Sequence, residues 1–147
     1  MIQNPSSRTT IAGIAYFALV FAAGFAMGVI RVPLLVPHLG VRVAELLEMP
    51  IMFVVIVLSA RFVMKRFAVP AAAKSRLLVG CTALALAVAA ELLVAVAFQR
   101  QSITQYLASR DPVSGSAFLV MLGVFAAMPF VLARFHRSRV RSTRARA

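Results

Sequence analysis

The chain has 147 residues, of which 62% are hydrophobic and 14% charged, and its mean hydropathy is +0.93. That is more apolar surface than a water-soluble core of this length can hide, so the surplus must face lipid. A formal charge of +12 would suggest a nucleic-acid partner in a soluble protein. Here the charges mark the boundaries of apolar segments, and the basic C-terminal stretch lacks interleaved aromatics, which excludes nucleic acid. The fold class expected is all-α: an integral membrane four-helix bundle forming one transmembrane domain over residues 1–147.

A hydrocarbon core about 30 Å thick needs roughly 20 apolar residues of helix. The first span, residues 9–30, is an uncharged run between Arg8 and Arg31, with Ser6 and Ser7 available as N-caps. The segment after it, Arg31 to Gly40, is unusually apolar for a loop, and its prolines are expected to break helix at both ends. The second span, 41–62, is harder to place, because its uncharged core from Met49 to Ala60 reaches only about 18 Å. Glu45 and Glu48 are therefore placed within the bilayer, in preference to Arg61. The third span, 77–98, must carry Glu91 inside the membrane, since Leu77 to Ala90 alone would reach only about 21 Å. Cys81, in this span, reads as an inert thiol packed between helices. The fourth span, 114–134, follows an Asp111-Pro112 step that favours a turn and a helix start, and Pro129 is expected to kink it. A basic tail, 135–147, completes the chain.

Orientation follows from the Lys and Arg count near the span ends. With both termini inside, the cytoplasmic side collects Arg8, the middle loop (Arg61, Lys65, Arg66, Lys74, Arg76) and the tail (Arg134, Arg137, Arg139, Arg141, Arg144, Arg146). Only Arg31, Arg42, Arg100 and Arg110 fall outside, so an N-in/C-in topology is expected. The tail arginines, Arg137, Arg139 and Arg141 among them, should lie on anionic lipid headgroups.

This topology brings the acids to one end. Glu48 is 13 residues from Arg61 and Glu91 is 15 from Arg76, which puts them at matching depth, about 20 to 22 Å up their helices. Helices two and three, joined by a short connection, are expected to be antiparallel neighbours whose acids share a pocket with Arg31 or Arg42. Arg42, Glu45 and Glu48 recur every three residues and so fall on one helical face. Two readings follow: a structural network that fixes helix packing, or a proton or cation site. Gly24 and Gly28 form a Gly-x-x-x-Gly pair that allows close helix packing.

No Ser-His-Asp or Cys-His set, phosphate loop or Glu-x-x-His pair is present, so neither an enzyme nor a cofactor or metal is expected. The strings Arg31…Pro37-x-x-Gly40-x-x-x-Ala44-Glu45-Leu46-x-Glu48-x-Pro50 and Arg110-Asp-Pro-Val-Ser-Gly115 resemble those of small, uncharacterised four-span proteins of bacterial inner membranes. The resemblance implies a location and a helix count, and carries no activity. The leading expectation is a non-catalytic inner-membrane component that packs with itself or a partner, as a homo-oligomer or with another membrane protein. The alternative is a proton or cation channel or transporter using the acidic cluster; with four helices it would work as a dimer or a simple channel.

Overall fold

The computed structural model describes residues 5–94, 96, 104 and 111–144, with 5, 6 and 135–144 described as backbone. Among these residues there are four long helices and no strand: α1 (Pro5–Leu34), α2 (Val36–Arg66), α3 (Ala73–Leu93) and α4 (Pro112–Arg144). Each contains a stretch long and apolar enough to cross a membrane. Little of that apolar surface is used up by packing, since only 17% of the apolar window is buried in α1, α2 and α3, and 22% in α4. Leu119 and Val120 stand about two-thirds exposed on the outside of the bundle. An apolar exterior this continuous is of the kind that membrane-spanning helices present to lipid.

The helices close into a ring in the order α1, α2, α4, α3. α1 and α4 each pack against both α2 and α3, while the pairs α1/α4 and α2/α3 face each other across the diagonals. The expectation that helices two and three are neighbours therefore does not hold. The connection over residues 67–72 explains the difference. Six residues can span about 20 Å, whereas the diagonal of a bundle with helices about 10 Å apart is about 14 Å, so α3 is free to skip a place.

That connection is tightly made. Phe67 ends α2, Ala68 adopts a left-handed conformation (φ 46°), and Ala68 N–H and Val69 N–H donate to the carbonyls of Lys65 and Met64 at 3.2 Å each. This is a Schellman stop, completed by its usual apolar contact, because Met64 and Val69 are both buried in the core. Arg8 donates to the Phe67 carbonyl (3.2 Å), and Arg76 to the carbonyls of Val69 and Pro70 (3.1 Å each). Basic side chains at this end thus satisfy backbone carbonyls that the loop leaves open.

At the other end, α1 continues through Pro33 to Leu34, and a single residue, Leu35, separates it from α2. The segment Arg31 to Gly40 is therefore mostly helical rather than a loop. The chain turns at Gly40, whose backbone (φ 76°, ψ 163°) lies in a region open essentially to glycine alone. Past α4's span the helix runs on without a break to Arg144, so the first ten residues of the predicted tail continue the helix.

The core lies toward the end that carries Arg8, Arg61, Lys65 and Arg76. Small residues there let the helices close up: Ala12, Ala60, Ala83 and Val79 are buried beside Val63 and Met64. The tightest approach is between α3 and α4, where a side chain at Gly80 would fall on the Ala126 carbonyl oxygen. At Gly13 the added carbon would stand 2.8 Å from Thr82 on α3. The predicted Gly24/Gly28 pair makes no such approach within the chain: Gly24 has only Met52 nearby, at 3.4 Å, and Gly28 has nothing within 4 Å. Cys81 is exposed on α3 rather than packed between helices.

One polar contact crosses the bundle centre. The buried Tyr16 hydroxyl of α1 donates to the Phe125 carbonyl of α4 at 3.0 Å, and the two rings stack at 4.6 Å between centroids. In a regular helix the Phe125 carbonyl would accept from the amide four residues on. That residue is Pro129, fully buried and without an N–H, so Tyr16 supplies the donor that α4 lacks.

Candidate functional site

The sequence contains four acidic residues, Glu45, Glu48, Glu91 and Asp111, and all four line one cavity of about 490 Å³ among the helices. Every helix contributes. α2 supplies Glu45 and Glu48 one turn apart, with Met49, Met52 and Ile56 below them; α3 supplies Ala87 and Glu91 on consecutive turns of one face. α1 contributes Phe17, Phe21 and Phe25 with Arg31, and α4 contributes Phe118, Met121 and Phe125. Asp111 stands at the start of α4. The cavity therefore has charged groups at one end and an aromatic and thioether lining beneath them. It stops at the level of Phe17, Ile56, Ala87 and Phe125, where the closely packed core begins.

Two arginines serve the acids, each in a different way. Arg31 reaches across from α1 and sits between the two α2 carboxylates, 3.1 Å from Glu48 and 3.6 Å from Glu45. These side chains are only 13 to 24% exposed, so the pairing takes place largely out of solvent. It is also incomplete. Among the described residues, the buried Arg31 Nε and Glu48 Oε2 have no hydrogen-bond partner, because the Glu48 contact is close in distance but not aligned. The site therefore keeps hydrogen-bonding capacity that a water or a bound group would satisfy.

Arg42, at the start of α2 beyond the Gly40 turn, grips Asp111 with a two-pronged contact of 2.6 to 3.1 Å. Asp111 is also the N-cap of α4: its Oδ1 accepts from the Val113 and Ser114 amides at 3.0 Å each, with Pro112 in the first helical position. The Arg42 hydrogen bond, supported by these amides, holds the Asp111 carboxyl down at about 2. Asp111 therefore stays ionised at any physiological pH, and the Arg42 contact ties α2 to α4 at this end.

The structure thus brings Glu45, Glu48 and Glu91 to one cavity together with Arg31. Arg42 does not balance these acids, since its partner is Asp111. The sequence marks Asp111 as a turn and helix start; the signal for its place in the site is that it falls at the same end of the bundle as the three glutamates. Arg137, Arg139 and Arg141 belong to the backbone-only part of α4, and their side chains lie outside the described residues. No group of three His, Cys, Asp or Glu among the described residues is arranged to hold a metal ion. Compared with protein-family models, curated proteins and solved structures, the chain shows no match.

Proposed function

We infer that this is a multi-pass protein of a bacterial inner membrane, with both termini in the cytoplasm, whose acid-lined cavity takes up a proton or small cation on a path through the bundle. The observation that carries the reading is the convergence of all four carboxylates of a chain with net charge +12 on a single cavity. Ion pairs placed only to fix packing need no open space beside them. Here Glu48 and Glu91, from diagonal helices, share a cavity of about 490 Å³. Acidic groups within spanning helices mark proton and ion pathways when they face such a space. This is what favours the transport alternative over a packing component.

The orientation rests on the distribution of basic residues, with Arg8, the α2–α3 connection and the arginines after α4 on the cytoplasmic side. The inner-membrane location rests on the resemblance to small four-span proteins. In this arrangement Arg137, Arg139 and Arg141 lie against anionic headgroups, each contributing about 1 kcal/mol.

A bound cation must stabilise the folded chain. At ten times its dissociation constant the gain is about 1.4 kcal/mol, enough to raise the melting temperature by several degrees. The expected result is a rise in melting temperature of the detergent-solubilised protein with one of Na+, K+ or Li+, or with protonation, at constant ionic strength. Glu48→Gln and Glu91→Gln should lose that rise while remaining folded. An identical response in the native protein and both variants would refute cation uptake at these carboxylates.

A further inference from the structure

The cavity is closed toward the basic end, and the way it is closed is specific. Its last layer is Phe17, Ile56, Ala87 and Phe125. Directly beneath Phe125, the Tyr16 ring stacks on it, and the Tyr16 hydroxyl holds the Phe125 carbonyl. From Phe125 to Arg134 the remaining helix is about 14 Å long, and this is the thickness of packed bundle that separates the cavity from the basic end.

α4 is the helix best suited to open that barrier. Pro129 interrupts its hydrogen-bond ladder within the barrier, and interruptions of this kind are where helices bend. The cost of bending at a proline is low because one backbone bond is already absent. In this bundle that missing bond has been replaced by one from another helix, so α4 is fastened at its weak point to the diagonally opposite α1.

We propose that Tyr16 is the latch of an inner gate: its hydroxyl fastens the carbonyl that Pro129 leaves unpaired, and the cavity opens toward the basic end when that bond breaks and α4 bends at Pro129. The proposal rests on the transport reading for its purpose, and on the geometry alone for its mechanics. It assigns roles to two residues outside the acidic cluster. Tyr16 controls how often the barrier opens, and Pro129 supplies the hinge. Met128, buried beside the proline, and Ala133 one turn further on would move with the inner segment of α4.

The latch can be tested without reference to flux. The exposed Cys81 is first replaced by serine, and a single cysteine is placed in the barrier at Val63 or, independently, at Ala60, both fully buried. The reaction of purified full chain with a charged maleimide in detergent micelles then reports how often the barrier opens. Native Tyr16 should give slow labelling. Tyr16→Phe should raise the rate roughly three- to tenfold, the range expected for one hydrogen bond between membrane helices. Adding Pro129→Ala should return the rate to that of the parent, because the restored amide rebonds the Phe125 carbonyl and removes the hinge. Pro129→Ala alone should label no faster than the parent.

An unchanged rate in Tyr16→Phe at both cysteine positions would overturn the latch. So would a rate that stays high in Tyr16→Phe/Pro129→Ala, since that pattern means general loosening of the core. These outcomes are independent of the transport reading. The labelling pattern with no cation flux would leave the latch standing and remove the purpose assigned to it; flux without the pattern would do the reverse.

Discussion

Gly80→Ala should lower the stability of the bundle by about 2 to 3 kcal/mol, and Gly80→Val should prevent it from folding. The added carbon falls on the backbone oxygen of Ala126, and neither helix has a flexible side chain that can yield at that point. α3 and α4 must separate, which spreads the cost to the buried neighbours Val79, Ala83 and Phe125. Alanine is otherwise better than glycine in a helix by about 1 kcal/mol, so the net loss measures the clash after that gain. Gly28→Ala is the control. With nothing within 4 Å of its added carbon, it should be neutral or slightly stabilising. Denaturant titration of the detergent-solubilised variants tests both, and Gly80→Ala melting with the native protein would show that the helices are not in contact there.

The second large effect is expected at Arg31. Arg31→Met removes the cation standing between Glu45 and Glu48 and leaves two carboxylates one turn apart in a largely desolvated site. Stranding one partner of a fully buried ion pair costs about 3 to 5 kcal/mol, and the residual exposure of these side chains brings the expectation to about 2 to 3 kcal/mol. Much of that loss belongs to the acids left behind rather than to the contact itself. Arg31→Met/Glu48→Gln should therefore recover at least half of it, and a double-mutant cycle in unfolding free energy reads the coupling directly. Additive losses from the two substitutions would mean that Arg31 and Glu48 do not interact in the folded chain.

These two positions also show what could be read from sequence. Helix number, helix class and the gathering of acids at one end followed from hydropathy and charge spacing, because a bilayer-sized apolar run leaves few options. Neighbour relations did not follow. A short connection suggested that helices two and three pack together, yet its six residues reach across the diagonal, and Glu48 and Glu91 meet across a cavity rather than at a helix interface. The Gly24/Gly28 spacing shows where backbones are free to approach, not where they do; the close approach is at Gly80, which belongs to no Gly-x-x-x-Gly pair. Likewise, Pro129 was legible as a break in the hydrogen-bond ladder, while the donor that compensates for it lies more than a hundred residues away at Tyr16, a distance at which local pattern carries no information. Arg42 misled in the same way, since three acids stood nearer in sequence than Asp111.

If the acid-lined cavity moves a proton or cation, the reconstituted protein must carry flux. Proteoliposomes holding a pH-sensitive dye would be challenged with imposed proton and monovalent-cation gradients, with native chain and Glu91→Gln compared at equal density. The native chain should dissipate at least one of these gradients, and Glu91→Gln, equally well folded, should not. No flux from folded native protein under any of them, or undiminished flux in Glu91→Gln, would contradict it.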